Sequence, residues 1–163
     1  MSLIVSDNSP LNLLIRVREE AVLPALFGLV IIPSEVAEEM RHPKAPEIVR
    51  HFVAALPSWI RIQSPIHRLN FPTLDPGETA AIALAIELSA PLLIDEQEGR
   101  RIARAEGLEV IGAIGVLERA ANQGLIADLA AVYHEIRTLR FHIAEDILDE
   151  SLSRHLQMKS SNI

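Results

Sequence analysis

The residues best equipped for chemistry in this chain are carboxylates that fall at the ends of apolar runs. Asp7 closes the run Leu3–Ser6, Asp95 and Glu96 follow Leu92–Ile94, and Glu78 opens a helical pattern ahead of that second run. A third run, Leu29–Ile32, leads through Pro33 into a helical segment bearing Glu35, Glu38 and Glu39. Acids that converge with no cation beside them repel one another unless protons or a metal ion compensate. Hard divalent ions such as Mg²⁺ and Mn²⁺ accept all-oxygen ligand sets. Such a set can position an attacking water and stabilise phosphoryl oxygens. Each acid also has a purely structural use. Asp7 before Asn8-Ser9-Pro10 reads as a polar helix start, and Glu96 and Glu98 complement a helix dipole. Asp75-Pro76-Gly77-Glu78 reads as a capping box with proline at the first helical position. In the segment after Pro33, Val36, Ala37 and Met40 supply the apolar stripe, so Glu38 points outward. Spacing does not choose between Glu35 and Glu39.

Other chemistries find less support. There is no Cys, and the six His, at 42, 51, 67, 134, 142 and 155, form no HxH or HxxxH pair, which argues against zinc. No phosphate loop, dinucleotide fingerprint or GxSxG elbow is present. The net charge of −7 excludes a protein that coats nucleic acid by bulk attraction. The basic residues are nonetheless bunched. Arg41, Lys44, Arg50, Arg61 and Arg68 share their segment with one acid, Glu47, and read either as a phosphate-binding region or as a solvated helix face. Arg100, Arg101 and Arg104 either meet phosphate or pair with Glu96 and Glu98. The turn Gly112-Ala113-Ile114-Gly115 either brings backbone near the site or packs tightly.

These residues need a scaffold, and the hydropathy pattern provides one. The short branched runs Leu3–Ser6, Leu29–Ile32, Leu92–Ile94 and Glu109–Ile111 read as strands buried on both faces, with a weaker edge strand around Trp59–Gln63. Helical patterns cover Pro10–Glu20, Ser34–Met40, Pro46–Leu56, Glu78–Leu88 and Gln97–Glu106. Three more follow at Gly115–Gln123, Ala127–Leu139 and Ile143–Leu156. The alternation predicts an α/β domain with a mainly parallel sheet, and its ligand crevice outside the carboxyl ends of the strands. With 163 residues, 49% apolar, one domain over 1–158 and a fraying tail at 159–163 are expected. Aromatics at 4% leave few platforms for stacked bases. The amino terminus lacks the pattern of a signal peptide, and the run Thr79–Ile94 is broken by Glu87, Ser89 and Pro91. A soluble, cytoplasmic protein away from membranes is the expectation. The apolar excess of the helices around Pro10–Phe27 and Pro46–Leu56 suggests an interface.

Several segments together carry a family resemblance: VSDNSPLNLL, IIPSEVAEEM, and LDPGETAAIALAIELSAPLLIDEQEGRRIARAEGLEVIGAIGVLERAANQGLI. A first Asp, a P-x-x-V-x-x-E helix, a GE-x-x-A-I-x-L-A helix and an acid after LLI, in that order, resemble the PIN-domain superfamily and its VapC-like toxins. The resemblance implies a three-layer α/β/α, ribonuclease-type domain with a Mg²⁺- or Mn²⁺-dependent acidic site. It also implies an RNA substrate, a homodimer, and inhibition by a small cognate antitoxin. Carried over residue by residue, the catalytic, metal-holding acids are Asp7, Glu39, Glu78 and Asp95. Glu96 is a further metal ligand, Ser9 supports a water, and Arg100 matches a frequent arginine of the following helix. Arg41, Lys44, Arg50 and Arg100 are the candidates for substrate contact. The chain departs from its relatives at Glu96, where a second Asp is frequent, and at Ala113, where a Thr is. Two rivals follow: a PIN-like binding module that has lost catalysis, and a phosphoacceptor receiver domain. The latter would require paired acids after the first strand and a late Lys near the pocket.

Overall fold

The runs Leu3–Ser6 and Leu29–Ile32 form strands β1 and β2 in the computed structural model, which describes residues 2–161. β3 (Ile60–Ile62), β4 (Leu92–Leu93) and β5 (Val110–Ile111) complete a five-stranded sheet in the order β3-β2-β1-β4-β5. Every pairing is parallel. Leu3 lies opposite Leu29 and Val5 opposite Leu92, while Val30 faces Ile60 across the β2–β3 ladder. Parallel strands need crossovers, and helices supply them. α1 (Asn8–Arg16) and α2 (Val22–Phe27) join β1 to β2, and α3 (Ser34–Arg41) and α4 (Glu47–Ala54) join β2 to β3. α5 (Pro76–Leu88) leads to β4 and α6 (Gln97–Ala105) to β5. Right-handed connections put the first four helices on one face and α5 and α6 on the other, giving three layers.

Residue alternation along the strands matches those layers. Val5, Ile31 and Leu92 pack with Ala81, Ile82, Leu84 and Ala85 of α5 and Ala103 of α6. Ile4, Val30 and Ile32, one step out of phase, are fully buried too. α5 is apolar around most of its circumference, and its residues 80–85 are all buried, as a helix covered on several sides must be. The edge strand around Trp59 is found as β3 at the sheet margin.

The chain divides into two compact units, 1–113 and 114–163. The first holds the sheet and α1–α6. The second holds α7 (Ala113–Asn122, from Ile114 on), α8 (Leu129–Thr138) and α9 (Glu145–Ser161). Its interior is polar in part. The fully buried Tyr133 hydroxyl meets Ser151 Oγ at 2.6 Å, and Ser151 in turn donates to Glu118, which Arg154 clasps with two bonds of 2.9 Å.

Two expectations need correction. α1 stops at Arg16 rather than Glu20, because Arg18 takes a left-handed φ of 60° that no helix continues through. Residues Lys159, Ser160 and Ser161 continue α9 instead of fraying, while 162 and 163 lie outside the described residues. Leu11, Leu13, Leu14 and Ile15 of α1 are buried within the chain, as are Val49 and Val53 of α4. Among the described residues, no helix is long and apolar enough to cross a membrane.

Candidate acidic active site

The sheet order places the point where the chain reverses direction between β1 and β4, which is where an open parallel sheet has its crevice. Both central acids are there. The Asp7 N–H donates to Leu93 O at 2.9 Å, which extends the β1–β4 ladder and sets Asp7 beside the end of β4, two residues before Asp95. Asp7 is also the N-cap residue of α1, yet its side chain caps nothing and is only 3% exposed. A carboxylate buried this way is costly to ionise. Burial pushes the Asp7 carboxyl up to about 7, against the pull of the Asn8 N–H, and Asp75, Glu39 and Asp95 add repulsion. That mutual repulsion is the clearest sign that these carboxylates share one volume.

α3 contributes Glu39. Its Oε2 accepts from Asn8 Nδ2 at 3.2 Å, so the residue after Asp7 orients the acid from the next crossover. On its other side lies Gly77, where any Cβ would collide with Glu39 Oε1. Burial, then the neighbouring Asp75, raise the Glu39 carboxyl, while the Asn8 amide lowers it. Glu35, one turn earlier on α3, instead faces Arg68 at 3.4 Å, and Glu38 is exposed.

α5 contributes Glu78 through the expected capping box. Asp75 Oδ1 accepts from the Glu78 N–H at 2.7 Å, and Glu78 Oε1 accepts from the Asp75 N–H at 3.1 Å. The box uses only one oxygen of Glu78. The other, Oε2, is buried with no hydrogen-bond partner. Burial, the Asp75 side chain and the Asp7 charge all hold the Glu78 carboxyl well above its ordinary range. Capping therefore fixes this acid without consuming it.

Asp95 sits just past β4 with an open edge on solvent. The protein packed behind it raises its carboxyl, and the Ala113 N–H (2.8 Å to Oδ1) and the Arg100 guanidinium pull it back. Arg100 itself is pinned by donating to Ile94 O at 2.8 Å. The turn after β5 thus brings backbone to the site. Gly112 leaves room there, since a Cβ would lie 2.7 Å from Asp95 Oδ1 and 3.0 Å from Arg100 Nη1 and would push one of them aside.

Other expected residues lie elsewhere. Glu96 is the N-cap of α6, its oxygens accepting from the N–H groups of Glu98 (3.0 Å) and Gly99 (2.5 Å). It is nevertheless close by, since a Cβ on Gly99 would be 3.3 Å from Glu96 Oε2 and 3.5 Å from Glu78 Oε2. Ser9 is exposed in the first turn of α1. Arg41, Lys44 and Arg50 are exposed around α3 and α4, and Arg50 Nε is held by Ala45 O at 3.0 Å. Arg101, not Arg100, pairs with Glu98. Sequence reading passed over two participants, Asn8 and Asp75. Asn8 was legible only as an amide next to an acid, and its Oδ1 is buried without a partner. Asp75 was absorbed by its capping role, although its charge bears on Asp7, Glu39 and Glu78.

Among the described residues, no three His, Asp or Glu side chains are drawn together as a ready coordination shell. The donor set still suits a hard divalent ion. All the donors are carboxylate oxygens, Glu78 Oε2 and Asn8 Oδ1 lack partners, and glycines at 77 and 112 keep Cβ atoms out of the space.

An all-parallel α/β sheet with buried carboxylates at its switch point defines a class of acid-pocket domains. The comparisons narrow the class. The PIN domain family model matches residues 3–157, and the chain belongs to that family. PIN domains are typically nucleases. Among solved structures, the fold is similar to that of a PilT N-terminus domain protein from the hyperthermophilic archaeon Sulfolobus solfataricus. That match has 15% identity and a TM-score of 0.55, and covers 72% of this chain and 92% of the other. No curated protein matches the chain.

Proposed function

We propose that this protein is a Mg²⁺- or Mn²⁺-dependent endoribonuclease, the toxin half of a toxin–antitoxin pair, restrained by a small cognate antitoxin and working as a homodimer. The observation that carries the nuclease reading is the buried, unpartnered Glu78 oxygen together with the buried Asp7, whose charge Glu39, Asp75 and Asp95 oppose. Buried carboxylates that oppose one another's charge need protons or a cation. Asp7, Glu39, Glu78 and Asp95 would hold the ion. When bound, such an ion supplies positive charge against phosphoryl oxygens and a water acidified for attack.

The protein's own share is positioning. Asn8 and Gly77 fix Glu39 from two sides, the capping box fixes Glu78, and the Ala113 N–H and Arg100 fix Asp95. Preset ligands of this kind save reorganisation when substrate arrives. Arg41, Lys44 and Arg50 would meet the RNA backbone, and Ser9, exposed beside Asp7, would orient a water.

The test is calorimetric titration of Mn²⁺ into the metal-free protein and its Asp95→Asn variant, alongside cleavage of single-stranded RNA. Wild-type binding and cleavage, both lost in the variant with the circular dichroism unchanged, is the expected result. Metal-dependent cleavage retained in Asp95→Asn would sink the site. A second reading, a PIN-like module that acts through its protein partner, draws on Ala113, which offers Asp95 a backbone N–H and no hydroxyl. Absence of Mn²⁺ binding by folded wild-type protein would favour it.

A further inference from the structure

Beside the acidic site lies a groove of about 390 Å³ that the carboxylates do not use. One wall is the face of α5 formed by Pro76, Thr79, Ala80 and Ala83, which are spaced as one helical stripe. The facing wall is the segment 65–74, which brings Arg68, Asn70 and Phe71. Glu35 of α3 closes one end. The segment has no regular structure of its own, yet it is pinned. Glu87 accepts the N–H groups of Ile66 (3.0 Å) and His67 (2.5 Å), the Leu74 N–H donates to Phe71 O (2.9 Å), and Ser64 meets Ser34 at 2.5 Å. The groove is therefore built into the fold.

Its position follows from two helices shared with the acidic site. Glu35 and Glu39 are four residues apart on one face of α3, a rise of about 6 Å. On α5, Pro76 lines the groove while the next residue, Gly77, is the one pressed against Glu39. The groove thus begins roughly one nucleotide's reach from the carboxylates.

We infer that this groove is a subsite for one unpaired nucleobase of the RNA, flanking the phosphate at the carboxylates; the inference rests on the ribonuclease reading above. The lining matches a nucleotide's chemistry. Phe71 and Leu74, half-buried against the core, and the prolines give the groove an apolar wall on which a base is held largely regardless of sequence. Asn70 is exposed at the rim and presents both a donor and an acceptor, which is what reading a base edge requires. Arg68 carries the cation for the adjoining phosphate, and its partner Glu35 is only 3.4 Å away and easily exchanged. The volume stands at the small end of ligand pockets, which run roughly 300–1,000 Å³. A partner helix about 10 Å across would fill it with a single turn.

The test follows backbone amide NMR shifts of the wild-type protein titrated with each of the four nucleoside 5′-monophosphates and with ribose 5-phosphate. Variants Asn70→Ala and Phe71→Leu are compared, the first at an exposed position and the second keeping the apolar volume. Shifts gathered on residues 68–74 and 79–83 with a nucleotide but not with ribose 5-phosphate are expected. So is binding weakened about fivefold or more in each variant. Equal shifts with ribose 5-phosphate, or no shifts at millimolar nucleotide, would overturn the subsite, as would unchanged affinity in both variants. A separate Mn²⁺-dependent RNA digest, with the cut ends sequenced, keeps the two readings apart. Wild-type protein that cuts nothing sinks the ribonuclease. Protein that cuts with the same flanking-base preference in wild type and both variants sinks only the subsite.

Discussion

At the scale of single residues, the site holds its charges at the expense of stability. Asp7 binds its proton up to about 7 in the folded chain, against 3.8 for an ordinary aspartate in water. Between those values the folded protein carries more protons at this position than the unfolded chain, so stability falls as pH rises through the window, and the whole penalty is present above it. At about 1.4 kcal/mol per pH unit, the penalty at pH 8 is on the order of 4 kcal/mol. Asp7→Asn keeps the shape and removes the charge. In metal-free protein the variant should therefore be more stable than wild type at pH 8 by as much as that, and the advantage should shrink toward pH 4, while cleavage is lost. Urea unfolding at pH 5 and pH 8 checks this, and equal stability changes in the two proteins would refute it. Asp7 and Asp95 were legible in the sequence because each follows a run too apolar to be anything but a buried strand. Asp75 was not, since a capping motif explains it completely until its neighbours are known. The choice between Glu35 and Glu39 also had to come from elsewhere. Both lie on one face of α3, and only tertiary packing separates the one beside Arg68 from the one beside Asn8.

At the scale of elements, the acids depend on how closely α3 and the first turn of α5 approach, and Gly77 sets that distance. Its backbone is not in a left-handed conformation, so alanine there carries no φ strain and trims unfolded-chain entropy, a gain of about 0.4–1 kcal/mol where nothing clashes. The added Cβ would collide with the end of a flexible side chain, Glu39 Oε1, which must swing away. Gly77→Ala should thus melt within a few degrees of wild type yet bind Mn²⁺ about 10–100-fold more weakly, the range seen when a ligand loses its orienting contacts. Calorimetry beside thermal unfolding separates the two effects. Unchanged affinity would mean that Glu39 is not held by this contact. The strands themselves were plain in the sequence, LIVS and LVII being short, apolar and bounded by polar or turn residues. β4 stops at Leu93 and β5 starts at Val110, each one residue short of its expected run, although Glu109 O and the Ile94 N–H still hydrogen-bond across the pair. The roles of Gly77 and Gly112 were invisible, since a glycine's need for space is a property of what approaches it.

At the scale of the whole molecule, the ribonuclease reading asks a chain of net charge −7 to attract a polyanion. Part of its positive charge is paired internally: Arg101 to Glu98, Arg137 to Glu145 and Asp149, and Arg154 to Glu118. Of the basic segment, Arg41, Lys44 and Arg50, the candidates for phosphate contact, are exposed and form no ion pair among the described residues. RNA affinity should therefore rest on the loaded site and a few phosphate contacts rather than on a broad basic surface. For single strands, each phosphate neutralised contributes about −0.7 to the slope of log affinity against log salt, so about three contacts give a slope near −2. Wild-type protein at saturating Mn²⁺, with initial cleavage rates at subsaturating RNA read from 50 to 200 mM KCl, gives the same slope through kcat/KM when association is in rapid equilibrium. A slope near −2 is expected, and Arg41→Gln or Lys44→Gln should each make it shallower by about 0.7. A slope of −5 or steeper would place phosphate binding on a surface much larger than this segment.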